Sequence, residues 1–204
     1  MNAAEAWEQL EEPWRAAFEL AWEAFAAGTI PVGAVVVDET GTIISRGRNR
    51  IFDGGPPPRQ LAGTRLAHAE MNALAQLSPD RRWSECTLYT TLEPCVLCVG
   101  AASISTIGRI LFAGADVYSG SSSLARLDLS TPRRLNVTIE GPLAGPLESL
   151  GAGLHLAYFA ERDGRSALVE TYASRRPDLG EIATRLVGLR AGTLEDALAE
   201  LSLP

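Results

Sequence analysis

Residues 66–101 read LAHAEMNALAQLSPDRRWSECTLYTTLEPCVLCVGA, and the order of periods in this stretch decides the fold. Leu66–Leu77 has apolar residues at helical spacing and is stopped by Ser78-Pro79. Cys86–Thr91 is short and rich in β-formers, the pattern of a strand. Pro94 suits the first position of a helix, and the pattern after it runs to about Ser105. Helix, strand and helix in succession predict an α/β layered domain with helices on both faces of a sheet.

The flanks agree with that reading. Residues 3–27 predict one helix, with Trp7, Leu10, Trp14, Phe18, Ala21, Trp22 and Phe25 at spacings of three and four and Gly28 as the stop. Val32–Asp38 and Thr42–Arg48 predict a hairpin turning at Glu39–Gly41, and Phe52–Thr64 (FDGGPPPRQLAGT) a stiff loop. Arg109–Ala113 and Leu135–Glu140 read as strands. Leu143–Arg162 reads as a helix with its apolar face on Leu147, Leu150, Leu154 and Phe159. Two further helical stretches, Asp178–Leu189 and Thr193–Leu201, end the chain.

Of 204 residues, 46 % are apolar and 21 % charged, which fits a globular chain and excludes disorder or a fibrous repeat. The net charge of −7 offers no overall basic surface for phosphates. Six Glu against one Arg in residues 1–27 account for most of it, leaving −2 for the rest of the chain. The total therefore does not exclude an RNA substrate. No run of 18 apolar residues occurs, and the acidic, amphipathic N-terminus is unlike a signal peptide, so a cytoplasmic protein with no membrane partner is expected. Three cysteines, two of them close together, point to metal or redox chemistry rather than a disulfide framework.

The chemistry concentrates in His68-Ala69-Glu70 and Pro94-Cys95-Val96-Leu97-Cys98. A catalytic zinc takes three nitrogen or thiolate ligands and leaves its fourth position to water. His68, Cys95 and Cys98 supply such a set: the cysteines share one helix face, and a helix N-terminus favours the thiolate form. Glu70 is placed to approach the bound water without ligating the metal. A structural site would need a fourth ligand. The candidates, Cys86 and His155, read better as a small core hydrophobe and as a packed or surface histidine.

This H-x-E…P-C-x-x-C pattern is that of the zinc-dependent nucleobase deaminases. Residues 31–49, 66–77, 86–101 and 107–114 together resemble the cytidine-deaminase-like superfamily, in the branch of tRNA adenosine deaminases and bacterial guanine deaminases. The resemblance spans roughly residues 5–140. It implies a three-layer α/β/α sandwich around a mixed five-stranded sheet, one zinc per chain, hydrolytic deamination and a homodimer. A deaminase domain over residues 1–160 is then expected, with 161–204 a helical extension packed on the core or on a partner chain. The resemblance also implies that Asn49 hydrogen-bonds the base, against a plain turn residue in Gly47–Arg50. Thr90 and Thr91 would line the pocket floor, or serve only strand packing. Tyr118 could stack on a substrate ring or be an ordinary exposed loop residue.

In the implied reaction, zinc-activated water attacks the amino-bearing ring carbon, Glu70 shuttles the protons, and ammonia leaves. The chain departs from the tRNA enzymes after Ala101. Ile104-Ser105-Thr106 stands in place of a His-Ser-Arg-type run, and Asp116–Ser121 lacks the usual Lys; the Pro-rich loop 54–58 is an insertion near the expected pocket mouth. The basic pairs Arg133-Arg134 and Arg175-Arg176 read as solvated surface. These departures favour a free nucleobase or nucleoside as substrate. The alternatives are a tRNA-specific adenosine deaminase acting at the anticodon wobble position and a catalytically inert zinc-containing binding subunit.

Overall fold

The computed structural model of the chain describes residues 1–126 and 137–202. Its five strands are β1 (Gly33–Val37), β2 (Ile43–Arg48), β3 (Thr87–Leu92), β4 (Arg109–Gly114) and β5 (Thr138–Glu140). They form one sheet in the order β2-β1-β3-β4-β5. β1 runs antiparallel to both β2 and β3, and the β3–β4 and β4–β5 pairs are parallel, so the sheet is mixed.

The strand period of two divides the core. Ala34, Val36, Leu88 and Ile110 face α3 (Ala69–Leu74) and α4 (Val96–Ile104), where Cys86 is also buried. Val35 and Val37 face α2 (Glu12–Ala26) on the opposite side, where Tyr89 and Leu111 also lie and where α5 (Pro146–Arg162) packs. Helices thus cover both faces, and the result is an α/β three-layer domain. α6 (Ala167–Arg175), α7 (Leu179–Gly188) and α8 (Leu194–Glu200) share one apolar cluster with α1 (Ala3–Glu8), α2 and α5 through Tyr172, Leu179, Leu186 and Leu198. Trp22 Nε1 donates to Gly192 O at 3.2 Å, and Ala4 N to Ser202 Oγ at 3.0 Å. No helix among the described residues is long and apolar enough to cross a membrane.

One glycine sets how closely α3 approaches the sheet. A Cβ on Gly47 of β2 would overlap the backbone of α3 at Ala69 O, Ala73 N and Asn72 C. Asn72 reinforces the contact, its Nδ2 donating to Arg48 O at 3.0 Å and its Oδ1 accepting from Leu61 N at 2.7 Å.

Several elements differ from the sequence reading. The helix expected over residues 3–27 is broken into α1 and α2, because Pro13 would clash with the preceding turn and is tolerated only where a helix begins. α6 was not expected: Ser166 caps it, accepting from Val169 N, and Leu168 and Tyr172 form its buried face. Pro94 lies two residues before the start of α4, just ahead of its N-cap Cys95. Of the strand expected at 135–140, Thr138–Glu140 is present; residues 135–136, like the Arg133-Arg134 pair, lie outside the described residues. Arg176 is not a free surface cation. It forms a bidentate pair with Glu148 (2.7 and 3.0 Å) and also bonds Asp178.

Candidate active site

α3 and α4 begin side by side, and each opens on a residue that forgoes an ordinary capping role. His68 and Cys95 are the N-caps; both have extended backbones, and neither side chain bonds the first turn of its own helix. A Ser or Asp at an N-cap would contribute about 1 kcal/mol there, so these side chains are committed elsewhere. They point at each other. His68 Nδ1 lies 3.7 Å from Cys95 Sγ and 3.5 Å from Cys98 Sγ, and the two sulfurs are 3.6 Å apart. Tetrahedral zinc, with bonds of about 2.3 Å to sulfur and about 2.1 Å to nitrogen, requires ligand separations of about 3.5–3.8 Å. The triangle fits zinc, and its two thiols and one imidazole are the donors zinc prefers. His68, Cys95 and Cys98 are positioned to hold one ion.

The charges of the trio are already coupled. The hydrogen bond shared with Cys98, helped by His68, brings Cys95 down to about 4 against the cost of burial. That same bond, with burial and the nearby Glu70 charge, pushes Cys98 well above the ordinary thiol range. His68 is raised, chiefly by its contact with Cys95. The dipole of α4 acts in the same direction on Cys95, favouring the thiolate form that a metal ligand requires.

Glu70 follows His68 in the first turn of α3 and is 4 % exposed. Thr90 Oγ1 donates to Glu70 Oε1 at 3.3 Å. Burial raises the Glu70 carboxyl above the usual range, and the charge of His68 opposes that shift. Thr91, the next residue of β3, points elsewhere: its hydroxyl accepts from Gly33 N at 3.2 Å and ties β1 to β3.

Glu70, His68 and Cys95 open into a cavity of about 300 Å³, lined also by Ile30, Val32, Asn49 and Leu92. Asn49 is buried, and its Oδ1 accepts from Thr29 Oγ1 (2.9 Å) and Ile51 N (3.1 Å). The amide is thereby oriented with its NH2 as the available group. Tyr118 lines the cavity and is half exposed. Thr90, Thr91 and the Pro-rich segment 54–58 do not reach it.

Asp116 and His155 are among the lining residues that the sequence reading did not place at the pocket. Asp116 is buried and accepts from the backbone of Tyr118 and Ser119, the Ser119 hydroxyl and the Tyr172 hydroxyl. Burial opposes its charge, but the positive charge that His155 takes up at acidic pH, with the Ser119 hydroxyl and the Tyr118 and Ser119 amides, holds it below the usual carboxylate range. His155, on α5, reaches the cavity from the opposite layer. The D-x-x-S spacing of Asp116 and Ser119, a turn signal, was the cue for the first. Nothing local marks the second.

Residues 7–114 match the family model for the cytidine and deoxycytidylate deaminase zinc-binding region. The chain is 38 % identical over 144 residues to the tRNA-specific adenosine deaminase of Haemophilus influenzae, covering 69 % of this chain and 78 % of that protein. Among solved structures, one from work on A-to-I editing by tRNA:A34 deaminases superposes with a TM-score of 0.57 at 27 % identity, over 70 % of this chain and 97 % of that one. The guanine deaminase of Nitrosomonas europaea does so with a TM-score of 0.52 at 26 % identity, over 72 % and 83 %.

Proposed function

The chain belongs to the cytidine and deoxycytidylate deaminase zinc-binding family, and from that premise we propose that it is a hydrolytic deaminase of a free nucleobase or nucleoside. The observation that carries the reading is the zinc-shaped donor triangle with a buried carboxylate beside it in one cavity. Water adds to the amino-bearing ring carbon, the C–N bond breaks, and the products are the oxo base and ammonia.

When bound, zinc supplies Lewis acidity that lowers the pKa of a coordinated water from 15.7 toward about 7. The chain's own residues do the rest. Glu70 takes a proton from the attacking water and delivers it to the ring nitrogen next to the reacting carbon, then takes the second proton from the added hydroxyl and passes it to the departing amine. Thr90 positions that carboxylate through its hydrogen bond to Oε1. The Asn49 amide, with its oxygen already engaged, donates to an acceptor on the base. Ile30, Val32, Leu92, Phe159 and Leu168 give the cavity apolar walls that fit a flat ring and exclude bulk water.

Among the described residues no Arg lines this cavity, whereas Glu93 and Asp116 do. Acidic walls suit a small neutral substrate better than a phosphate backbone. A second reading, deamination of an adenosine in tRNA, is favoured by the 38 % identity to the Haemophilus influenzae enzyme. One screen separates the two: ammonia release from adenine, guanine, cytosine and their nucleosides, beside inosine formation in a tRNA anticodon stem-loop. The free-base or nucleoside reading requires turnover of a small substrate that is abolished by chelation, restored by zinc, and lowered about 10²–10⁴-fold in Glu70→Gln. Inosine in the stem-loop with no small-molecule turnover establishes the second reading. A wild-type rate in Glu70→Gln refutes both.

A further inference from the structure

The cavity's second wall comes from a part of the chain beyond the matched family region, residues 7–114. His155 and Phe159 of α5, with Ser166, Ala167 and Leu168 at the start of α6, close it from the layer opposite α3 and α4. His155 is 5 % exposed, and its ring is held edge-on between Phe159 and Tyr172 at centroid distances of 5.1 and 5.9 Å.

A proton count fixes how that ring is presented. The Tyr172 hydroxyl has one proton and three polar neighbours: Asp116 Oδ1 at 3.3 Å, Ala115 O at 3.4 Å and His155 Nδ1 at 3.3 Å. The first two are pure acceptors and one carries a charge, so the hydroxyl donates toward them. Burial and the charge of Asp116 keep Tyr172 protonated. The contact with His155 must then run the other way, from Nδ1–H to the Tyr172 oxygen. Burial disfavours the imidazolium more than Asp116 stabilises it, so the ring stays neutral. A neutral ring protonated at Nδ1 carries its lone pair on Nε2. That atom has no hydrogen-bond partner among the described residues, and the ring lines the cavity.

We propose that His155 is a specificity-determining residue whose Nε2 accepts a hydrogen bond from a ring N–H at the far edge of the substrate, so that the site selects a free nucleobase over its glycosylated form. The inference rests on the deaminase reading of this cavity. A base held with its amino carbon beside Glu70 turns its opposite edge toward α5. In adenine and cytosine the nitrogen that carries the sugar in a nucleoside lies on that opposite edge. Unsubstituted it is a donor matched to Nε2; glycosylated, it has no proton to give and leaves a buried acceptor unpaired.

The test compares each parent base with its methyl derivative, adenine with 9-methyladenine, guanine with 9-methylguanine and cytosine with 1-methylcytosine. Binding to the zinc-loaded protein is measured by calorimetry, and ammonia release in parallel. Wild type should bind at least one parent base about tenfold or more tighter than its methyl derivative. His155→Phe keeps an aromatic ring and removes the acceptor, and should bring that ratio to within about twofold of unity. Tyr172→Phe removes only the oxygen that holds Nδ1–H, and should give an intermediate ratio. Melting curves confirm that each variant is folded, and the wild-type ratio needs no variant at all. Equal binding of both members of every pair by wild type, a wild-type ratio retained in His155→Phe, or no binding of any base overturns the inference. Discriminating binding without ammonia release sustains it and removes the deaminase reading instead.

Discussion

A single methyl group on Gly47 should detach α3 from its correct place. The added Cβ in Gly47→Ala would overlap three backbone atoms of α3, at Ala69, Asn72 and Ala73, and none of them belongs to a side chain that could rotate away. Restoring ordinary contact at 3.4 Å or more requires α3 to withdraw by about 1 Å, a displacement that can cost about 10²-fold in rate. His68 and Glu70 move with the helix, while Cys95 and Cys98 stay on α4. The donor separations of 3.5–3.7 Å then open beyond what one zinc spans. Overpacking of this kind costs about 1–3 kcal/mol of stability, which a folded domain survives. The expected outcome is a folded protein with weakened zinc affinity and a loss of about 10²-fold or more in kcat/KM. Zinc affinity is read by chelator competition, turnover by ammonia release, and folding by circular dichroism. Gly55→Ala, where the added atom meets nothing within 4 Å, is the control and should match wild type. Wild-type zinc affinity and turnover in Gly47→Ala would refute the claim that this contact sets the site.

Two further outcomes follow from the charge arrangement. Burial depresses the His155 pKa below its ordinary 6.5 despite Asp116. The unfolded chain therefore binds the extra proton first, and this group's contribution, fully present above pH 6.5, is lost as pH falls, by at most about 1.4 kcal/mol per pH unit. Urea unfolding of the zinc-loaded protein between pH 7.5 and 5.5 should show a shallower loss in His155→Phe than in wild type, and parallel profiles would sink the assignment. Arg176→Met strips the partner from Glu148, whose side chain is only 13 % exposed, and should cost about 1–3 kcal/mol in the same assay. Arg109→Met, at an exposed pair with Glu140, should change stability by less than about 0.5 kcal/mol; equal effects at the two sites would contradict the burial argument.

The zinc trio is legible in sequence because its geometry is almost entirely local. Cys95 and Cys98 are one helical turn apart, and His68 opens a neighbouring helix of the same layer. The sheet is legible for a similar reason, since runs such as Gly33–Val37 are buried on both faces and read as interior strands. What fails to show are features that need distant partners. His155 looks like any packed histidine until α6 brings Tyr172 beneath it. Arg176 looks solvated until α5 presents Glu148. The break between α1 and α2 was signalled by Pro13, but the aromatic period running through it was the stronger pattern. α6 was obscured by Asp163-Gly164, which mark a turn without indicating that a new helix is capped two residues later, at Ser166.

The division of the cavity between two stretches of chain has a consequence for how the protein can change. On the proposed function, residues 68–98, which hold the donor trio and Glu70, would carry the groups for breaking a C–N bond, and residues 155–168, which line the facing side of the cavity, would meet the rest of the substrate. Substitutions in the second stretch can alter which molecule is admitted while leaving the hydrolytic apparatus untouched. The two properties can therefore drift at different rates. Relatives that share the zinc motif but differ in the α5–α6 segment should differ in what they accept sooner than in what they do to it.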